Sequence, residues 1–290
     1  MRYLYLVLPI LLGCSRTAER PNVVVEDYIR RVTPEKTVAF AGWGTIRGKV
    51  TFDGEIPENR LLGMDGHVHA EHCHAGELRE ETWKIDARTR GVANVIVWLH
   101  PPKTLGFPRQ PPERKTWKDT VVLDQPACTF GPHVFVLYPE YYDAESKEWN
   151  RTGQQFIARN SSKIRHTVDI EGSNTINPAN SIVMDIARDD GKIPEKEFSI
   201  RADRQELSVR CRYHKWMTAY FRAFDHPYAA VTAADGSFEI RNAPAGAEVE
   251  VRAWHEAGSF DRDKARLDRF PTKLIADGVV EQNFTLRKQN

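Results

Sequence analysis

The chain has 290 residues, enough for one or two folded domains with cores of their own. Hydrophobic residues make up 41% of it and charged residues 28%, a balance typical of folded proteins that argues against a disordered chain. The 41 Lys and Arg against 40 Asp and Glu leave a net charge of +1, which gives no overall electrostatic basis for binding nucleic acid or an anionic membrane. Any partner must therefore be recognised at a local site.

The N-terminus has the pattern of a targeting segment. Arg2 precedes an apolar run over residues 3–12 that is too short to span a bilayer. The run ends in Leu-Leu-Gly-Cys, which resembles the bacterial lipobox, whose cysteine, here Cys14, carries a diacylglycerol and becomes the first residue of the mature protein. An ordinary signal peptide with an incidental cysteine is the alternative. We expect a lipid-anchored protein of the cell envelope, at the outer membrane or facing the periplasm.

Short strands dominate the pattern that follows. Residues 15–44 contain charges and proline without a sustained period and are interpreted as a tether. Proline-rich residues 101–112 are interpreted as a loop, and residues 140–149 as a minor helix. The strands predicted from apolar periodicity and β-branched residues are 48–52, 92–99, 120–123, 133–138, 154–158, 166–170, 197–202, 207–210 and 218–224. Many short strands separated by turn residues predict an all-β sandwich or barrel.

The C-terminal part has its own strand pattern. Strands are predicted at 228–232, 237–240 and 249–254, with an Asp-Gly turn and a Pro-Ala-Gly turn between them. The run Asp-Gly-Ser-Phe-Glu-Ile with Pro-Ala-Gly resembles the carboxypeptidase regulatory-like (transthyretin-like) domain. That resemblance implies a small β-sandwich and no catalysis. We therefore expect a first domain over residues 45–225 and a second over 226–290.

The number of cysteines indicates that one thiol stays outside any disulfide bond. Removing Cys14 leaves Cys73, Cys128 and Cys211, an odd number in a compartment that permits disulfides. The economical assignment pairs Cys73 with Cys128 and leaves Cys211 free. A free exported thiol is prone to oxidation unless a metal ion holds it as the thiolate.

Cys211 begins a compact set of metal-ligating residue types. Cys211, His214 and Met217 form the spacing Cys-x2-His-x2-Met just before a predicted strand. A thiolate, an imidazole and a thioether suit a blue (type 1) copper ion, whose usual ligands are two His and one Cys with a weak axial Met. The second histidine must come from elsewhere in the chain. His166 is the candidate, because it lies where a predicted loop meets a predicted strand.

These residues resemble the cupredoxins, and in particular the amicyanin-type ligand loop with the same spacing. The segment 153–160 followed by His166 is similar to the strand, Asn and first His ligand of that family. The resemblance implies a Greek-key barrel or sandwich with one type 1 copper ion held by His166, Cys211, His214 and Met217. The chain departs from the family at Thr167, where Asn is common, and at Lys215 and Trp216, near which Pro is common; these departures bear on the reduction potential.

A histidine-rich tract at residues 67–74 leaves alternatives open. Its imidazoles suit zinc or copper, but the spacing is not that of a structured site, and we interpret it as a surface loop with incidental histidines. Cys73 and Cys128 could also join His133 in a second metal site, which we consider a weaker alternative than their disulfide. Phosphate loops, nucleophile elbows, haem-attachment motifs and distinctive carboxylate pairs are absent from the sequence, so no enzyme is predicted.

The favoured function is electron transfer, because the expected ligand set leaves no open coordination position for a substrate. We expect His214 to be the exposed edge through which the electron leaves. Lys215, Arg210 and Arg212 would make the surrounding surface basic, suited to an acidic redox partner such as a c-type cytochrome. The alternatives are a metal-free cell-surface binding or structural protein, and copper storage or delivery aided by the histidine tract.

Overall fold

The computed structural model describes residues 33–62, 67–73, 78–187, 189–260 and 267–288. The predicted signal segment, the lipidation site Cys14 and most of the predicted tether lie outside these residues. In the described ranges, no helix is both long and apolar enough to cross a membrane.

The predicted all-β class is confirmed. One short helix, α1 (Ala70–Cys73), and one 3-10 turn, η1 (Pro112–Arg114), accompany the strands of the described residues. The strands are β1 (Lys36–Thr37), β2 (Gly42–Phe52), β3 (Ile96–His100), β4 (Leu105–Gly106), β5 (Thr120–Leu123), β6 (Val134–Leu137), β7 (Glu140–Asp143), β8 (Glu148–Arg151), β9 (Gln155–Arg159), β10 (His166–Glu171), β11 (Asn180–Met184), β12 (Glu195–Phe198), β13 (Leu207–Arg210), β14 (Thr218–Ala223), β15 (Ala229–Val231), β16 (Ser237–Ala245), β17 (Glu248–Trp254), β18 (Gly258–Phe260), β19 (Leu267–Lys273), β20 (Val279–Glu281) and β21 (Phe284–Lys288).

The middle of the chain forms a sandwich of two sheets, called here the middle sandwich. One sheet has the order β11-β10-β13-β14-β6 and the other β12-β9-β5. Side chains such as Phe135, Phe156, Val168 and Phe221 alternate inward from both sheets and share one core. Within it the rings of Phe135 and Phe221 stack at 4.8 Å between their centres.

Strands from both ends of the described chain form a second sandwich, called here the terminal sandwich. Its sheets have the orders β15-β3-β17-β19 and β16-β2-β21-β18, with β20 also paired to β2. The sequence-based division places residues 45–225 in one domain, whereas β2 and β3 hydrogen-bond with strands of residues 229–288. Strand pairing is set by long-range contacts, so periodicity along the chain does not reveal it. The predicted boundary at residue 226 otherwise stays a prediction.

Strand β3 explains how the two sandwiches meet. Val97 and Leu99 point into the terminal sandwich, while Ile96 and Trp98 point the other way, against Val134 and other side chains of the junction. Alternate residues of a strand lie on opposite faces, so a strand buried on both faces is a continuous apolar run. This accounts for the β-branched stretch that predicted a buried strand here.

Two local predictions need correction. The predicted helix at 140–149 is wrong, because β7 and β8 form a hairpin in which the rings of Tyr142 and Trp149 pack 5.5 Å apart. Aromatic residues favour strands, and the Asp143 carboxylate accepts the amide hydrogen of Glu145 at 2.8 Å in the turn. The predicted tether also ends earlier than residue 44, since β1 pairs with β4 and β2 starts at Gly42.

Candidate metal centre

The loop between β13 and β14 carries three of the predicted ligands. The Cys211 amide donates to the Met217 carbonyl at 3.3 Å, and the Met217 amide donates to the His214 carbonyl at 2.9 Å. These bonds close the loop at the end of an antiparallel strand pair. Cys211, His214 and Met217 are all buried, so the loop folds inward over the end of the middle sandwich.

His166 reaches the same place from strand β10. β10 pairs antiparallel with β13, with Asp169 opposite Arg210, so the beginning of β10 lies beside the loop that follows β13. His166 is the first residue of β10 and is fully buried. Strand pairing therefore brings together two of the predicted ligands, His166 and Cys211, which are separated by 45 residues along the chain.

Three ligand atoms converge on one point. The Nδ1 atoms of His166 and His214 are 3.0 Å apart. The Sγ atom of Cys211 lies 3.8 Å from the first and 3.6 Å from the second. The structure thus brings together His166, Cys211 and His214 as a potential metal-binding group, with Met217 buried in the same loop.

The donor set fits a small soft cation. An ion about 2.0 Å from each nitrogen and about 2.3 Å from the sulfur, in their plane, would place nitrogen and sulfur about 3.7 Å apart and the nitrogens about 3.5 Å apart. The two observed nitrogen–sulfur distances, 3.8 and 3.6 Å, agree with this spacing. The nitrogen pair, at 3.0 Å, is closer than this spacing. His166 Nε2 is buried without a hydrogen-bond partner, so Nδ1 is the ring atom with polar neighbours.

Burial keeps both imidazoles in the form that binds metals. Removal from water, followed by the nearby His214 and His69, lowers the pKa of His166 to about 3. Removal from water, with His67 and His69, lowers the pKa of His214 to about 4. Both rings are therefore neutral near pH 7, and a neutral imidazole offers the lone pair that a metal ion requires.

A polar network surrounds the Cys211 sulfur. The Thr167 amide donates to Sγ at 3.3 Å, and the Thr167 hydroxyl accepts the amide hydrogen of Arg212 at 2.8 Å. The Asp169 carboxylate accepts hydrogen bonds from the Thr167 hydroxyl and from Arg212 Nε, each at 3.0 Å. This network ties β10 to the ligand loop and points one amide dipole at the sulfur.

Asn160 holds the segment that precedes His166. Its fully buried amide nitrogen donates to the carbonyls of Ile164 and Asp185, each at 2.7 Å. Its amide oxygen accepts from the Ser162 hydroxyl at 2.7 Å. These bonds fix the loop that delivers His166 to the start of β10.

Two histidines of the tract at 67–74 cover His214. His69 Nδ1 lies 3.0 Å from His214 Nε2, and the ring of His67 lies 5.0 Å from that of His214. The expectation that His214 is an exposed edge is therefore wrong, because its side chain is fully buried beneath these residues. The interpretation of the tract as incidental surface histidines is likewise wrong for His67 and His69. Repeated histidines were the available signal, but their partner is distant in sequence.

The predicted disulfide is confirmed. Cys73, at the end of α1, is bonded to Cys128, and Cys211 is a free, buried thiol. The bond uses both sulfurs, so the alternative metal site of Cys73, Cys128 and His133 does not form. The Trp216 indole donates to the Cys128 carbonyl at 3.1 Å, which links the disulfide to the ligand loop.

Comparison with known proteins finds likeness only to solved structures. No model of a protein family matches the chain, and no curated protein matches it. A methionine-to-alanine mutant of amicyanin with Cu(I) is 9% identical, over 38% of this chain and 86% of that chain, with a TM-score of 0.26. Amicyanin from Paracoccus versutus (Thiobacillus versutus) is 11% identical, over 37% of this chain and 84% of that chain, with a TM-score of 0.26. Likeness at this level decides neither fold nor function.

Proposed function

We propose that this protein binds one type 1 copper ion at His166, Cys211, His214 and Met217 and transfers single electrons. The observation that carries the proposal is the convergence of two Nδ1 atoms and one Sγ atom within 3.8 Å of one another in a buried site. Bound there, copper supplies a one-electron couple between Cu(I) and Cu(II). Soft thiolate and thioether ligands beside two imidazoles favour copper over the harder cations.

The surrounding residues suit electron transfer better than catalysis. Among the described residues, the three converging side chains are at most 3% exposed, which does not suit a site that must admit a substrate. The Thr167 amide stabilises negative charge on the Cys211 sulfur and so favours the reduced state. The loop bonds at Cys211 and Met217 hold the ligands in one arrangement, so little movement is needed when one electron enters or leaves.

An acidic redox protein such as a c-type cytochrome remains the proposed partner. Lys215 and Arg212 are exposed on the ligand loop, and Arg210 lies beside it. Asp169 offsets the charge of Arg212 at 3.0 Å, and Glu171 lies 3.9 Å from Arg210. Lys215 is therefore the cation through which we expect most of the attraction. The rate of electron transfer should fall as salt rises, and Lys215→Gln should flatten that dependence.

Lipid attachment at Cys14 is proposed to hold the protein at the membrane of the cell envelope. The support is the apolar run and the Leu-Leu-Gly-Cys sequence alone. A Cys14→Ala variant should be released into the soluble envelope fraction, and mass spectrometry of the native protein should find a diacylglycerol on its first residue. Native protein that leaves the membrane without detergent would contradict this part of the proposal.

Copper binding is tested by spectroscopy of the purified protein loaded with Cu(II). We expect an intense absorption near about 600 nm and a narrow copper hyperfine splitting, both characteristic of a thiolate ligand. Cys211→Ser should abolish both signals while leaving the Cys73–Cys128 disulfide in place. A folded protein with no such band would remove the copper proposal and favour the metal-free binding or structural protein. Tight copper binding without a reversible redox wave would favour storage or delivery.

The proposed role of Met217 can be tested against a second buried methionine, Met184. Met217 and Met184 are both buried in the middle sandwich, and Met184 lies opposite His166 in the β10–β11 pair. If the Met217 thioether would hold the copper ion together with the other three residues, Met217→Leu changes the reduction potential and the spectrum, whereas Met184→Leu leaves both unchanged. The reverse result would assign the thioether ligand to Met184.

A further inference from the structure

The ligand His214 has a partner outside the predicted ligand set. Its Nδ1 faces His166 and Cys211, while its Nε2 lies 3.0 Å from Nδ1 of His69. The two rings are tilted by 44° with their centres 5.2 Å apart. His69 comes from a segment 145 residues earlier in the chain, so tertiary structure alone creates this contact.

The positions of the ring protons decide which histidine donates this hydrogen bond. A neutral imidazole carries one proton, so a ring that presents a bare Nδ1 to a metal must carry its proton on Nε2. The Nε2–H of His214 then needs an acceptor, and Nδ1 of His69 is within hydrogen-bond distance. His69 accordingly accepts at Nδ1 and keeps its own proton on Nε2.

His67 fixes His69 in this role. The His69 amide donates to His67 Nδ1 at 3.2 Å, which places the His67 proton on Nε2. His67 Nε2 lies 3.1 Å from the Tyr213 carbonyl and donates to it. Both nitrogens of His67 are thus used by backbone groups, one on its own segment and one in the ligand loop. The nitrogens of His67, His69 and His214 lie within 4.8 Å of one another, but this assignment leaves His67 no lone pair for a second metal ion.

The segment that carries His67 and His69 is fastened to the ligand loop. Its end, Cys73, is bonded to Cys128, whose carbonyl accepts from the Trp216 indole at 3.1 Å. The Trp216 ring also packs 5.1 Å from His67 and 5.2 Å from His214. The disulfide and the indole therefore tie the segment that carries His69 to the loop that carries His214.

We propose that His69 is the positioning residue for His214. By accepting the Nε2–H it selects the tautomer with a bare Nδ1 and holds the ring with that atom directed at the metal. This inference rests on the proposed function of the copper site. It adds that the segment at 67–73 is part of that site.

Three variants test the inference. His69→Ala removes the acceptor, and His69→Asn replaces the ring nitrogen with an amide oxygen near the position of Nδ1. His72→Ala is the matched control, because His72 lies on the same segment but is exposed. Loss of such an outer partner of a ligand histidine typically lowers metal affinity about 10- to 100-fold. We expect His69→Ala to show that loss with an altered copper hyperfine splitting, His69→Asn to recover most of the affinity, and His72→Ala to match the unchanged protein.

A measurement without metal separates this inference from the copper proposal. Nitrogen-detected NMR of the imidazoles in metal-free protein should show His214 protonated on Nε2, and a mixture of tautomers in His69→Ala. The Nε2–H tautomer in both proteins, or equal copper affinity in His69→Ala and His72→Ala, would overturn the role of His69. Absence of the band near about 600 nm in the unchanged protein would instead overturn the copper site. Circular dichroism confirms that each variant is folded. If His69→Ala does not fold, His69→Leu, which also lacks an acceptor but fills more of the space, takes its place in both comparisons.

Discussion

The two sandwiches follow the same β-sheet rules but differ in what they bury. Most of the buried polar side chains lie in or beside the middle sandwich: Gln125, His133, Glu140, Asn160, Ser162, His166, Thr167, Asn177, Asp203, His214 and Arg222. Those in or beside the terminal sandwich are Gln110, His226, Thr232 and His255. Burying a polar group is costly unless it has a partner. In the middle sandwich these groups lie at both ends, with His166 and His214 beside the loop between β13 and β14, and Asn177 and Asp203 paired at the other end of β13. The candidate metal centre is built at one of these ends, and the β-architecture alone does not specify it.

The largest loss of stability should come from truncating one buried phenylalanine in the core of either sandwich. Phe221 in β14 and Phe284 in β21 are equally buried, one in each core. Each change to alanine should lower the free energy of unfolding by about 3–5 kcal/mol. Phe221→Ala should also weaken copper binding, because β14 anchors one end of the ligand loop, whereas Phe284→Ala should leave the absorption band intact at temperatures where the protein is folded. Chemical denaturation followed by tryptophan fluorescence measures the loss of stability, and the absorption band of the copper-loaded protein measures copper binding. Equal loss of the band in both variants would mean that the sandwiches respond as one unit.

Removing the disulfide should have the next largest effect. Cys73 and Cys128 are separated by 55 residues, a closed loop that includes β3 of the terminal sandwich and β5 of the middle one. Loss of this constraint on the unfolded chain should cost about 4 kcal/mol. The double change Cys73→Ser and Cys128→Ser should show this loss in urea denaturation, with Cys211→Ser as the control that keeps the disulfide. Indistinguishable midpoints would show that the bond contributes nothing to stability.

Asn160 gives a smaller effect confined to the middle sandwich. Asn160→Ala leaves the carbonyls of Ile164 and Asp185 without this donor and should cost about 1–3 kcal/mol. Because the loop it holds delivers His166, copper affinity should also fall. Asn150→Ala is the control, since that half-buried amide makes one bond of 3.4 Å. If Asn160→Ala is destabilised but binds copper with unchanged affinity, the loop held by Asn160 does not contribute to copper binding.

The smallest effect should appear where the sandwiches meet. Burial lowers the pKa of His133, but its 2.5 Å contact with Glu256 and the charge of Glu81 outweigh burial and raise the pKa above 6.5. A histidine whose pKa is raised in the folded state stabilises the protein fully below its unfolded value, and this contribution is lost as pH rises through the folded value. The free energy of unfolding should therefore decline as pH rises above 6.5, and Glu256→Gln should flatten that decline. A steeper decline of the free energy of unfolding in Glu256→Gln would show that Glu256 does not raise the pKa of His133.

Local features of the site were predictable from sequence. Cys211, His214 and Met217 lie within seven residues, and a loop that short brings its side chains together whatever the rest of the fold does. The disulfide followed from counting cysteines. The error at residues 140–149 arose because a short stretch with mixed polar and aromatic residues suits a helix or a hairpin, and only the pairing of β7 with β8 decides between them.

The amino-acid sequence by itself determined the all-β class, most strand positions and the spacing of Cys211, His214 and Met217, whereas the choice of His166 also drew on a family resemblance. Periodicity, turn residues and ligand spacing are local properties, and a linear chain displays them directly. Tertiary structure alone decided that β2 and β3 join the terminal sandwich and that His67 and His69 cover His214. These arrangements depend on which apolar faces pack together and which buried donors find acceptors. Residues far apart in sequence meet those requirements only when the whole chain has folded.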